Sequence, residues 1–589
     1  MANSSKYYAV AKGRKVGIYT SYYGGAEPQI KGVTGAVFEG YDSIDKAGDF
    51  LIANGIEQSQ VEILKKNIDG GVPKLLSRKS FNSNDVEDFD AAYGNIVSSE
   101  EFRRLQDKTQ VFPLAKDDYV RTRLTHSIEV SIIAKQLMAT IFQKYDDGKN
   151  GFSEQKNVKK FTEIVDENEY DLDDVIQNPE YHNAAEIIVS CASLLHDLGN
   201  PPFGHFGEAT IGDWFNDANL QLLENIAKDI TGKAASLTDD QREGLRHFEG
   251  NAQALRILSK NYYKKEKAES NPLQVSFAII SAMVKYPNLA TGGIDKKGPV
   301  FRHKMGVNDA EKEAFEKMSQ AVWGNDELII GSINRNPFAY IVEAADDIGY
   351  LVSDIQDAVR TKTLSITLLK NTLEKYGKLG KEIIDSLEKG NMEKWGLLTR
   401  KALIESFVNA FIKKENYEKL RMGELETSLF GATELWELEE ITKGLLREHV
   451  YEHELLVKPE IAAVTMVNSL MDKFVTVAAK FAFLYDKNPQ SRKNDYKGLE
   501  TDSSRRAVDR KIDAYKKLTD PEKKIYELIP TNFINDFKDW YDWYRVVNNN
   551  KKPESSEVLY HGILIATDYI SSMTDNHAKD VYHIINPNY

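Results

Sequence analysis

The residues best suited to chemistry lie between Leu194 and Glu208. There an apolar run (Ile187, Ile188, Val189, Ala192, Leu194, Leu195) ends in adjacent His196 and Asp197. An imidazole beside a carboxylate is a mixed nitrogen and oxygen donor pair, suited to a hard or borderline divalent cation. The Gly- and Pro-rich turn that follows, Gly199 to Gly204, stops a helix. Beyond it His205 and Glu208 stand three residues apart, so a helix resuming there puts both on one face. A carboxylate against an imidazole fixes its tautomer and raises its proton affinity, which suits an acid–base catalyst. A His-Asp dipeptide alone is common; the second pair and the partners below single this stretch out.

Other elements must bring partners to it. His126 opens a helix with Ile128, Val130, Ile132, Ile133 and Leu137 as its apolar residues. Between Ile341 and Asp354 an amphipathic helix carries Glu343, Asp346 and Asp347 on an apolar background. A buried carboxylate needs a partner, and a metal is one answer. Arg246 to Gln253, a Lys285-Tyr286-Pro287 turn and Lys304 after a Gly-rich loop supply further polar groups. Residues 365–480 read as one amphipathic helix after another, and Asp568 to Asp575 as another helix. Two stretches read differently. The acidic segment 145–182 reads as a solvated insertion. The polar segment 487–512, with Arg492, Arg505, Arg506 and Arg510, reads either as a mobile loop or as a phosphate-binding edge.

The 589 residues suffice for one large core or several domains, and 41% hydrophobic with 28% charged residues is ordinary for a globular protein. A formal charge of -14 argues against wholesale coating of nucleic acid or an anionic membrane, and leaves room for a local basic groove. The single cysteine, Cys191, lies in the apolar run and reads as a core thiol. No signal-peptide run and no bilayer-length apolar segment is apparent, so a soluble cytoplasmic protein without membrane contact is expected.

Residues 1–54 read as a small α/β module. Two short strands span Lys6 to Thr20, a third covers Ala36 to Phe38, and a helix runs from Ser43 to Ala53. Basic residues interleaved with tyrosines suit nucleic-acid backbone contact and stacking, and equally a structural or protein-binding module. On YYAVAKGRKVGIYTS and KGVTGAVFEGYDSIDKAGDFL this segment resembles the hybrid-binding domain of eukaryotic-type ribonuclease H and of caulimovirus viroplasmins. It departs at Tyr22, where that family usually carries Trp, and at Glu39 and Gly40, where it carries lysines. Residues 55–80 read as a linker or lead-in.

From about residue 81 to the end, RTRLTHS, LLHDLGNPPFGHFGE, HFEGNAQ, KYP, EAADDIGY and DYISSMTDNHA follow one another in an order found in one family. The chain resembles the HD-domain deoxynucleoside triphosphate triphosphohydrolases, bacterial dGTPase branch. The resemblance implies a mainly α fold, a multi-helix HD-domain core behind the N-terminal module. It implies His126, His196, Asp197 and Asp346 as ligands of a divalent metal, Mn or Mg, with Fe or Co also compatible. It implies His205 and Glu208 as the catalytic pair, with His247 near the same phosphate. Gln110 would read the sugar 3′-hydroxyl, Tyr350 and Asp354 would face sugar and phosphates, and Lys285, Lys304, Asn251 and Arg123 would contact phosphates. The implied reaction converts a dNTP, dGTP by preference, to deoxynucleoside and tripolyphosphate. The implied partners are a homo-oligomer, hexameric in the family, and single-stranded DNA or an RNA/DNA hybrid. An HD phosphatase or phosphodiesterase, and a nucleotide sensor that binds nucleic acid without catalysis, are the alternatives.

Overall fold

Tyr7–Lys12 (β1) is apolar at consecutive positions because it is the middle strand of its sheet, with Ala9, Val10 and Ala11 all buried. β2 (Gly17–Tyr19) and β3 (Val37–Tyr41) pair with it antiparallel, in the order β2-β1-β3. β3 thus starts one residue later than the sequence pattern suggests and runs three residues further. Ser43 caps helix α1 (Ile44–Ala53), its hydroxyl accepting from the Lys46 N–H at 3.3 Å. Ala47 and Leu51 turn inward onto Ala9 and Ile18, giving the module a small core of its own. The computed structural model describes residues 7–12, 16–19, 26, 30, 33, 35–56, 58, 61, 75–77, 79–80, 89–114, 117–148, 171–260, 273, 275–323, 334–489, 506 and 509–587. Tyr22, most of the expected linker, Arg492 and Arg505 lie outside the described residues.

The remainder is mainly helical. Helix α2 (Arg123–Gly148) buries Val130, Ile133 and Leu137, while Ile128 and Ile132, expected on its apolar side, face outward. Helix α3 (His182–Leu195) is buried along most of its length, Cys191 included. It ends at His196, and the chain turns into α4 (Gly204–Trp214). Then come α5 (Asp239–Arg246), α6 (Gly250–Ser259) and α7 (Pro337–Arg360), the last begun by an Asn336 cap and a proline at the first turn. Ile188, Leu195, Ile341, Ala345 and Ile348 join α2, α3 and α7 in one large core. Each such leucine or isoleucine contributes roughly 1.5–3 kcal/mol on burial, which fixes how these three helices sit.

A second core forms between α8 (Glu454–Lys487) and α9 (Ser555–Ser572), through Leu470, Phe474 and Ala478 against Ile563 and Ile570. Residues Leu456–Lys487 of α8 are long and apolar enough to cross a membrane by length and composition, contrary to the sequence expectation. The apolar length arises because Val467, Leu470, Met471, Phe474 and Val475 are buried within this core. Helix α10 (Asp575–Ile585) follows a break at Met573.

The acidic stretch 145–182 is not solvated at its end. Leu172, Val175 and Ile176 are buried, and Asp173 accepts from the Tyr417 hydroxyl at 2.6 Å and from Arg421. In the polar segment 487–512, Arg506 donates to the Ile529 carbonyl at 3.1 Å. Arg510 grips Glu527 at 2.8 and 3.0 Å, so neither presents a free phosphate-binding edge.

Candidate active site

Three helices of the first core deliver one cluster of donor atoms. His126 comes from the first turn of α2, His196 and Asp197 from the end of α3, and Asp346 from the middle of α7. His126 Nε2 lies 3.1 Å and His196 Nε2 3.5 Å from Asp346 Oδ1, and His196 Nε2 lies 3.6 Å from Asp197 Oδ2. Donor atoms of His126, His196 and Asp197 all fall within 4.8 Å of one another. Asp347, the neighbouring candidate, is not in this cluster. The surroundings prepare the donors. His196 Nδ1 donates to the Ser193 carbonyl at 2.6 Å, which leaves Nε2 facing the cluster. Asp197 Oδ1 is held by Arg123 at 2.8 Å and by the Asn200 amide, whereas its Oδ2 is buried with no hydrogen-bond partner. A buried carboxylate oxygen without a donor, aimed at an imidazole nitrogen, fits a divalent cation.

The electrostatics agree. Burial alone would strip the proton from His196, but Asp197 and Asp346 outweigh it and push its pKa up to about 9. Burial opposes ionisation of Asp197, yet Arg123 and the two imidazoles bring it down to about 2. Asp346 is likewise held well below the ordinary carboxylate range against its burial, chiefly by His196 and His126. A cation entering such a cluster displaces a proton from an imidazole that the carboxylates would otherwise keep charged.

The cluster opens into a cavity of ≈ 470 Å³, whose lining includes His126, His196, Asp197, Asp346, His205, Glu208, Gln110, Arg123, Asn251, Lys285, Lys304 and Tyr350. Helix α4 does resume after the turn. His205 Nδ1 and Glu208 Oε2 are 2.7 Å apart, and Glu208 Oε1 accepts the Gly250 N–H at 2.8 Å. A side chain at Gly250 would collide with Asn200 and Glu208, so glycine is required for this approach. His205 is otherwise open to the cavity, 83% exposed. Lys285 lies 3.3 Å from Glu343 and 4.0 Å from Asp346, and Lys304 3.0 Å from Glu249. Gln110 Oε1 is buried with no hydrogen-bond partner.

Two expected residues do not line the cavity. His247 is the C-terminal cap of α5 and turns back toward Glu243, 3.5 Å away, half exposed. The same segment sends Glu249 and Asn251 inward instead. Asp354 is fully buried, both its oxygens without hydrogen-bond partners. Burial and nearby Asp357 raise its pKa well above the usual range. Arg123 lines the cavity with its guanidinium bound to Asp197.

Sequence reasoning assigned no site role to Tyr286, Glu343, Tyr451 and Glu460, all in the cavity wall. Tyr286 and Glu343 lie within the KYP and EAADDIGY motifs, which carry the signal for them. Tyr451 closes a π-helical turn, Arg447–Tyr451, and its hydroxyl pairs with that of Tyr350. Glu460 comes from the first turns of α8, and neither it nor Tyr451 carries a local sequence signal.

Comparison with known proteins gives matches of two kinds. Residues 6–51 match the Ribonuclease H1 N-terminal domain. Over 524 residues the chain is 32% identical to a deoxyguanosinetriphosphate triphosphohydrolase-like protein of Listeria innocua, covering 86% of this chain and 96% of that one. A deoxyguanosinetriphosphate triphosphohydrolase of Yersinia enterocolitica is 28% identical, over 84% of this chain and 92% of its own length. One from Salmonella paratyphi A is 27% identical with the same coverage.

Proposed function

The chain belongs to the deoxyguanosinetriphosphate triphosphohydrolase family, and on that premise we propose that it hydrolyses deoxynucleoside triphosphates, dGTP by preference, to deoxynucleoside and tripolyphosphate. The observation that carries this reading is the meeting of the histidine–carboxylate cluster, the His205–Glu208 pair and two lysines in one cavity large enough for a nucleotide. His126, His196, Asp197 and Asp346 would hold a divalent metal, Mn or Mg foremost. Bound there, it would supply Lewis-acid polarisation of a phosphoryl oxygen and a water of lowered pKa.

The chain's own groups do the rest. Lys285 and Lys304 offset the triphosphate charge in a protein whose overall field repels it. Glu208 accepts the His205 Nδ1–H, so Nε2 is the nitrogen left for proton transfer. Water oxygen bonds to the α-phosphorus, giving up one proton to His205 Nε2, as the bond from phosphorus to the 5′-oxygen breaks. The bonding pair stays on that oxygen, which takes a proton from His205 Nε2. Arg123 acts by holding Asp197 rather than by meeting phosphate. Gln110, with its buried and unpartnered carbonyl oxygen, suits a sugar hydroxyl, and Tyr350 lies against the same space. Glu460 supports the base preference. Its carboxylate lines the cavity, and a guanine edge offers it two adjacent N–H donors where adenine offers one donor beside an acceptor.

We propose in addition a homo-oligomer, hexameric by resemblance, supported by exposed Val457, Ile461 and Val464 on α8. The N-terminal module is the part proposed to meet single-stranded DNA or an RNA/DNA hybrid. The test of the reaction is product analysis with each dNTP and GTP in Mn or Mg, resolving tripolyphosphate from orthophosphate. Tripolyphosphate from deoxynucleotides, fastest from dGTP and abolished by His126→Ala, is the expected result. Orthophosphate, or equal use of GTP, would favour a phosphatase, and no turnover a nucleotide sensor.

A further inference from the structure

One buried carboxylate outside the cluster touches two walls of the cavity at once. Asp575, at the start of α10, is 2% exposed. Its Oδ1 accepts the Phe203 N–H at 2.9 Å, two residues before His205. Its Oδ2 accepts the Thr109 N–H at 3.1 Å and the Thr109 hydroxyl, one residue before Gln110. Lys108 repeats the connection. Its buried ammonium donates to the Ser571 carbonyl at 2.8 Å, just before α10, and to the Asn200 carbonyl in the turn after Asp197.

Two further features show that this linkage constrains the cavity. Phe203 is a non-glycine residue in the left-handed region, φ 64°, a conformation that L side chains disfavour. Such a conformation persists only where its surroundings over-determine it, and the hydrogen bond to Asp575 does so at the residue itself. On its other side the Thr109 segment forms a bridge with Thr122, and the Lys108 carbonyl accepts the Arg123 N–H at 3.0 Å. The segment that carries Gln110 is therefore registered at once to the helix of His126 and to the helix of His205.

We propose that Asp575 is a positioning residue, a brace that sets the distance between the Thr109–Gln110 wall and the Phe203–His205 wall. It thereby sets where bound substrate lies relative to the His205 imidazole. The proposal rests on the triphosphohydrolase reading of the cavity. Misplacement by an ångström costs about 100-fold in rate, so a brace with two arms predicts two separable defects. Thr109→Val removes one hydrogen bond from the Gln110 arm alone; it raises KM about tenfold and changes kcat much less. Asp575→Asn disturbs both arms and lowers kcat about tenfold or more while also raising KM.

The measurement is kcat and KM for dGTP, per folded active site, with the Kd for dGTP from titration calorimetry on the same full-length variants. A structural role alone would lower the folded fraction and leave KM and Kd as in the wild type. Values of KM, kcat and Kd within about twofold of wild type in both variants would overturn the brace. Should the wild type itself yield no tripolyphosphate, the reaction reading fails separately. The Kd for dGTP, weakened in Thr109→Val or not, then still decides the brace.

Discussion

Glu460 enters the cavity wall with only 9% of its surface exposed, and among the described residues no cationic side chain is paired with it. Burial alone raises its pKa. A carboxylate in that state gains most from a ligand that brings two N–H donors, which is why it is tied here to guanine. Glu460→Gln should lower kcat/KM for dGTP about tenfold to 100-fold, the usual worth of one bidentate base contact, with a much smaller loss for dATP. Competition between the two nucleotides in one reaction measures the ratio directly, and an unchanged ratio removes Glu460 from base selection. Nothing local in the sequence marks this residue. His196, Asp197, His205 and Glu208 were legible because their partners stand within four positions. Tyr451 meets Tyr350 only through packing across about a hundred residues, and Glu460 reaches the cavity that Gln110 lines from still further along the chain. His247 shows the converse. Its motif reaches the cavity, but as the residue that ends α5 its own side chain turns outward.

At the scale of elements, α6 and α9 are joined by buried charges rather than by apolar contact alone. Arg256 grips Asp568 at 2.7 and 2.9 Å and also meets Glu311, while Gln253 adds a bond of 2.8 Å to Asp568. Burial opposes ionisation of Asp568, but Arg256 and Lys260 prevail and bring its pKa down to about 2. A carboxylate whose folded pKa is depressed stabilises the fold fully above its unfolded value, near 4, and loses that contribution as pH falls toward 2. The loss amounts to about 2 kcal/mol. Urea unfolding between pH 5 and pH 2.5 should therefore show a steeper fall in the wild type than in Asp568→Asn. At pH 7 the variant should be less stable by about 3 kcal/mol, because Arg256 stays buried without its main partner. Parallel pH slopes in the two proteins would refute this assignment. Periodicity and long apolar runs made helices such as α3, α4 and α7 readable, since each is anchored by buried apolar residues. Periodicity misjudged Ile128 and Ile132 because α2 is apolar on more than one side, and only contact with α3 and α7 chooses the buried one. It also misjudged α8, whose apolar length serves the second core.

At the scale of the whole molecule, the N-terminal module and the helical body are built on different cores. Ala9, Ala11, Ile18, Ala47 and Leu51 pack among themselves, separate from the two cores that hold the cavity. Sequence pattern could recognise the module for this reason, as its strands and helix bury their apolar faces within some fifty residues. A unit with its own core folds and is lost independently. Deleting residues 1–54 should leave kcat and KM for dGTP within about twofold of the full chain, and leave the main thermal transition in place. Nucleic-acid binding, if it resides in the module, should vanish with it, and its salt dependence in the full chain should be shallow. Each phosphate contact steepens that dependence by nearly one unit, and the described face of the module offers few free cations. Lys46 is paired with Asp42 at 2.8 Å, and Glu39 stands on β3 accepting from the Tyr41 hydroxyl at 3.0 Å. Fluorescence anisotropy with a labelled RNA/DNA hybrid over a salt series reads both quantities on one sample. A hybrid affinity that survives the deletion would move the nucleic-acid contact onto the helical body. A tenfold fall in kcat on deletion would instead make the module part of the catalytic unit, a coupling that two separate cores do not provide.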